Sequence, residues 1–485
     1  MRMVYAVSVF VLLSASAQAT THVVNPDGSG DLPTIQAAID VSAEGDTIKL
    51  AEGVFTGPGN RDLSFGIFAG VMCSAGGDPG ACILDLEGHP IGNTGFYQFF
   101  DIEGIGFENG SKLRLEFSGV DFRNCRFVNN EGAVHNTNYL DGYNYARFYD
   151  CEFLECSGSV ISSGGVVLEG CLFEGNRGSA VNALGLSISN CFFIDNKHDD
   201  ALISNRSFDT IFGSAYLSNC NFFANDVESC YFVGYGMIVE LIGCSFVYNE
   251  GTAITSLNCG LEIDACTFAG NRGSEGADII IEAWDEYYFN HLYLSRSIFS
   301  FRTEGEVLST FGEFPPDMSV ECTDIYGNVA GDWTGLLSPF AGVDGNFSEH
   351  PQFCNWTAGD VTLYSTSPCL PGGNDCGVLI GAAGEGCDNP TSVESPAPSS
   401  LALAAHPNPF NPKTRFTFNL PEPGPVSLAI YDVSGRRVVK LLDKTQMPAG
   451  EQVLDWSAEG LSSGIYLARL VTPQAIKEIK IDLLR

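Results

Sequence analysis

Basic side chains are scarce in this 485-residue chain: 24 Lys and Arg stand against 59 Asp and Glu, a formal charge of −35. The shortage is regional. Residues 1–400 hold 14 basic and 51 acidic side chains, whereas residues 401–485 hold 10 and 8. So acidic a body repels nucleic acid, which is set aside as a partner, and anionic lipid; a polyanionic sugar would need a bridging cation such as Ca²⁺. Long apolar runs are equally rare. Beyond Val4–Leu13 no stretch reaches the roughly 18 apolar residues that cross a bilayer, so no membrane span is expected. The seven His are scattered and no Cys-x₂-Cys pair has a partner pair, which argues against a metal centre of the zinc type. What is abundant is Gly (55) and Phe (34), with only 17% charged residues, the composition of a turn-rich, all-β protein.

Met1-Arg2-Met3, the apolar run Val4–Leu13 and the small-x-small site Ala17-Gln18-Ala19 read as a signal peptide over residues 1–19. The exported part is repetitive. A polar residue or Gly, then Cys-x-Phe, then Asn three residues after the Phe, recurs at Cys125, Cys171, Cys191, Cys220, Cys244 and Cys266. Looser copies at Phe107, Cys151, Phe299 and Cys322 give a mean period of about 24 residues. Period-2 alternation within such a period predicts one coil of short strands per repeat, stacked in parallel about 4.8 Å apart. Cys, Phe and Asn would each form a column along the stack.

These repeats resemble the right-handed parallel β-helix family, the pectin-lyase-like fold, over roughly residues 22–388. Thr34-Ile35-Gln36-Ala37-Ala38-Ile39 and Gly45-Asp46-Thr47-Ile48 resemble its N-terminal cap, where Ile35, Ala38 and Ile39 form one apolar helix face. Pro351 to Cys387 resembles the closing segment that follows such coils. Further on, His406-Pro407-Asn408-Pro409-Phe410, Gly435-Arg436, Trp456 and Ser463-Gly464-Ile465-Tyr466 resemble the type IX secretion sorting domain. The expected organisation is a signal peptide (1–19), a β-helix with a capping helix (20–388), a Pro/Ser linker (389–400) and an Ig-like β-sandwich sorting domain (401–485). The resemblance implies a protein secreted or displayed on the outer surface of a Gram-negative-type bacterium, with the secretion machinery as partner of the last domain.

Eight cysteines (125, 151, 171, 191, 220, 244, 266 and 322) fall on the repeat position and are expected as buried thiols. Cys73, Cys82, Cys354, Cys369, Cys376 and Cys387 are disulfide candidates in an oxidising compartment, with the pairing open. The catalytic patterns of pectin methylesterases, polygalacturonases and pectate lyases are not found: paired carboxylates and a distinctive base are missing, and Asp199-Asp200 reads as a turn. Two inserts interrupt the repeats instead. One carries Tyr139, Asp141 and Tyr143; the other carries Trp284, Asp285, Glu286 and Tyr287. Rings beside carboxylates suit a sugar, which stacks its apolar face and donates its hydroxyls. The expected function is therefore binding or adhesion to a polysaccharide or other surface polymer. The alternatives are a polysaccharide lyase or hydrolase, for which Asp141 would oppose Asp285 and Glu286 across a groove, and a structural surface-layer component.

Overall fold

A computed structural model describes residues 19–66, 68–94, 99–115, 119–136, 145–206, 214–273, 277–285 and 290–387, followed by 402–406, 410, 412–420, 424–432, 437–447, 450–458, 461, 464–472 and 476–483. The expected signal peptide, all but Ala19, and the expected linker lie outside these residues. From Thr21 to Tyr326 the chain winds as a parallel β-solenoid of about 14 turns. Each turn contributes to three faces. In one turn these are Ala201–Arg206 on the first face, Ser214–Ser218 on the second and Asn221–Phe223 on the third. The third face is a twelve-stranded sheet running from Gly53–Phe55 to Asp324–Tyr326.

The core follows from identical residues meeting in register. Phe107, Phe127, Phe153, Phe173, Phe193, Phe222, Phe246, Phe268 and Phe299 form one buried stack, with neighbouring centroids 4.4 to 5.1 Å apart and rings within 15° of parallel. Three residues beyond six of these Phe, Asn130, Asn176, Asn196, Asn225, Asn249 and Asn271 are buried at the corner. Asn196 Oδ1 accepts from the backbone N–H and the Nδ2 of Asn176 at 3.0 and 2.9 Å, and Asn176 Nδ2 also donates to Phe153 O. Each amide thus satisfies turn backbone that no strand pairs, which is why a buried polar column is tolerated.

The cysteine column runs Cys82, Ile105, Cys125, Cys151, Cys171, Cys191, Cys220, Cys244, Cys266, Ser297 and Thr323. Two expectations change. Cys82 points inward on this column and Cys73 points outward between Lys49 and Glu103, so the two do not pair. Cys322 does not occupy the column. It sits one residue earlier, at the left-handed turn position (φ 48°) that Asn190 and Asn219 fill in other coils, and from there it bonds Cys376. Cys354 bonds Cys387, while Cys369 remains a buried thiol whose Sγ donates to Asp324 Oδ2 at 3.4 Å.

The amphipathic helix forms as expected over Ile35–Val41: Thr34 Oγ1 accepts from Ala37 N, and Ile35, Ala38 and Ile39 are buried. At the other end the 3₁₀ segment Gly335–Phe340 buries Leu337 against the main core, with Trp333 and Phe340 beside it. The segment expected to close the solenoid lies elsewhere. Residues 353–382 pack along the outside of the third face, where Phe353, Trp356, Leu363 and Ile380 cover Val247, Ala269 and Ile298. The C-terminal part is a separate small β domain. An antiparallel sheet of Ala402–His406, Lys413–Leu420 and Gly450–Ser457 and a second of Arg437–Met447, Gly424–Asp432, Gly464–Val471 and Ile476–Leu483 share a core of Phe416, Leu428, Ile430, Trp456 and Leu470.

Candidate binding face

Strand alternation sends every second residue of the second face outward. The column six residues before each stacked Phe reads Asp101, Asp121, Arg147, Val167, Ser187, Tyr216, Glu240, Glu262 and Tyr293, all register partners. No core requirement fixes these residues. They form two patches.

In the first patch Asp121 Oδ2 lies 3.1 Å from Arg123 Nη2 and 3.7 Å from Arg147 Nη1. Arg147 stacks over the Tyr145 ring at 4.2 Å, Arg123 over Tyr149 at 4.4 Å, and Phe99 stacks on Tyr145 at 5.9 Å. Asp121 is buried, and its Oδ1 has no hydrogen-bond partner among the described residues. Burial pushes its carboxyl above the ordinary value, Asp101 adds to this, and the two guanidinium groups oppose it.

The second patch is open. Tyr216 and Tyr293 are exposed at either end of the Glu240–Glu262 pair, and Ile238 is exposed beside Glu240's strand start. The His291 ring stacks on Tyr293 at 4.5 Å and lies over Gly260, where a Cβ would stand 2.1 Å from its Cε1. His291 Nε2 is 3.7 Å from Glu262 Oε1. At the corner leading into this patch, Asn258 Oδ1 accepts from the backbone N–H groups of Trp284 and Asp285 at 2.8 and 3.1 Å. This fixes the root of the insert while the Trp284 side chain stays 56% exposed, its Nε1 donating to Glu282.

Of the candidates from sequence, Trp284 and Asp285 lie at the corner that leads into the second patch. Glu286 and Tyr287, and likewise Tyr139, Asp141 and Tyr143, lie outside the described residues. The roots of the two inserts are six strand steps apart on the first face, about 29 Å at about 4.8 Å per step. Glycosidase carboxylates act about 5 to 9.5 Å apart, a separation far smaller than that between these roots. Asp200 Oδ1 accepts from Ala201 N, the role of a turn residue. Sequence reasoning missed Asp101, Asp121, Tyr216, Glu240, Glu262 and Tyr293, although a fixed count back from each repeat Phe finds them all.

At the corner between the third and first faces a charged column runs Arg177, Lys197, Asp226, Glu250 and Arg272, with Lys197 paired to Asp226 and Arg272 to Glu250. Asp226, Glu250 and Arg272 of this column line a cavity of about 420 Å³ with Glu228 and Glu304. Among the described residues no group of three or more His, Cys, Asp or Glu is arranged to hold a metal ion, and no helix is long and apolar enough to cross a membrane.

No curated protein matches the chain. A solved structure, ORF18 of Geobacillus virus E2, aligns over 94% of this chain and 78% of its own at 10% identity, with a TM-score of 0.26, at which the likeness carries no argument. Residues 404–481 match the family model of the secretion system C-terminal sorting domain. The protein is thus a β-solenoid joined to a secretion sorting domain, and it is secreted or displayed on the outer cell surface.

Proposed function

We propose that the solenoid binds a glycan or similar surface polymer along its second face, while the sorting domain serves export. One observation carries this reading: Tyr216, Glu240, Glu262 and Tyr293 stand in one outward-facing column, and Trp284 is exposed at the corner that leads into it. Three strand steps separate the two tyrosines, about 14 Å. Rings at that spacing stack on the sugars of a short oligosaccharide, and the carboxylates between them accept hydroxyl hydrogen bonds. In this reading the expected divisions at 20–388 and 401–485 separate the working part from the address.

Trp284→Ala with Tyr293→Ala should weaken binding on a glycan array at least tenfold, about 1.4 kcal/mol. The melting temperature should move by no more than about 2 °C, because neither ring supports the core. A large drop in melting temperature, or unchanged binding, would show that the rings pack rather than bind.

A second reading, a polysaccharide lyase or hydrolase, draws on the first patch, where Asp101 and Asp121 are register partners and Asp121 is held above its ordinary pKa. It requires new reducing ends or unsaturated products that disappear in Asp121→Asn.

A further inference from the structure

Stacked acid pairs elsewhere in the solenoid meet a cationic side chain. Asp226 and Glu250 are register partners flanked by Lys197 on one side and Arg272 on the other, each forming an ion pair. Asp101 and Asp121 are answered by Arg123 and Arg147 on the latter. Glu108, the register partner of Asp85, lies 3.7 Å from Arg126. The Glu240–Glu262 pair departs from this pattern. Its strand neighbours are Tyr216 and Tyr293, and among the described residues Glu262 reaches only the His291 imidazole and Glu240 makes no hydrogen bond or ion pair. Like charges directly opposite one another on adjacent strands are destabilising, and two ring faces beside them favour a cation.

Resting on the binding reading above, we infer that the ligand itself supplies the missing cation: the second face takes a polymer of amino sugars, with an ammonium group seated against Glu240 and Glu262 between Tyr216 and Tyr293. Charge complementarity supports this occupant over a polyuronate, since residues 1–400 carry 51 acidic against 14 basic side chains. The pyranose rings stack on the tyrosines and Trp284, and the carboxylates select the free amine over its acetylated form.

The test titrates the full-length exported protein with glucosamine oligomers, their N-acetylated counterparts, and galacturonate oligomers with and without Ca²⁺. The inference expects the free-amine oligomer to bind best and to be released by salt. Glu240→Gln with Glu262→Gln should weaken it about tenfold or more. Glu155→Gln with Glu174→Gln, which removes two exposed charges near the third face, should change it less than twofold. Equal losses in the two double variants would reduce the effect to bulk negative charge and overturn the inference. It is also overturned if the acetylated oligomer binds equally well, or if only galacturonate with Ca²⁺ binds; in both cases the glycan reading survives. No binding of any oligosaccharide, with the melting curve intact, sinks the glycan reading itself.

Discussion

From the Asp101 coil to the Tyr293 coil the inner side of the third face and the outer side of the second are six residues apart, and they obey opposite rules. Inside, the same side chain recurs: nine phenylalanines stack ring on ring because each must fill the space left by the one before it. Outside, the matching column changes from acid to arginine to serine to tyrosine without disturbing the strand register. The solenoid is held by one column and free to vary the other. Function is therefore expected where repetition fails while the backbone continues.

The largest loss of stability is expected from the inner column. Phe222 is fully buried between Phe193 at 4.8 Å and Phe246 at 4.5 Å. Phe222→Ala should cost about 3 to 5 kcal/mol in denaturant unfolding. Tyr216→Ala, six residues earlier and facing outward, should stay within about 0.5 kcal/mol. Similar losses at the two positions would erase the distinction between the columns.

A buried outward acid sharpens the contrast. Asp324 points away from the core on the third face, but the segment over residues 349–369 covers it: Glu349 N donates to its Oδ1 and Cys369 Sγ to its Oδ2. Burial pushes its carboxyl up to about 7, and the charges of Glu349 and Asp332 push the same way. The folded value lies above the unfolded one, so the folded state binds the proton more tightly. Stability from this group is full below about pH 4 and is lost as pH rises toward 7, by on the order of 4 kcal/mol. In Asp324→Asn that fall should vanish from the pH dependence of the melting temperature, leaving the variant the more stable at neutral pH. An unchanged profile would mean that Asp324 ionises freely.

Much of this fold was legible in the sequence because the inner columns repeat by identity. Cys-x-Phe with its Asn names the coil, and the apolar face of Ile35, Ala38 and Ile39 names the cap. Cys322 was misplaced because a looser coil put a cysteine at the turn and a threonine, Thr323, on the column; identity was read where register was needed. The binding face was harder to see. Glu240 and Glu262 are 22 residues apart and Glu262 and Tyr293 are 31, because connections of different length enter both between the third and first faces and between the first and second. No constant period aligns them. The path from the second face to the stacked Phe, however, is the same length from the Asp101 coil to the Tyr293 coil, so the alignment exists once it is anchored on the core rather than on the repeat.

The smallest expected effect separates the two acid pairs of the outer column. Asp101 and Asp121 have arginines to answer them, so Asp121→Asn gives up two partly exposed ion pairs while it relieves a buried charge, and the opposing effects should leave stability within about 1 kcal/mol. Glu240 faces Glu262 with no such partner, and Glu240→Gln removes a repulsion without breaking an ion pair. It should stabilise the solenoid slightly, by about 0.2 to 1 kcal/mol, the size of a cross-strand charge effect. The gain should be visible in low salt and shrink toward zero near 1 M, where the screening length falls to about 3 Å. A stabilised Glu240→Gln that also binds less well would mark the pair as one kept for its ligand. A destabilised one would mean that Glu240 has a structural partner after all and that the two patches obey the same rule.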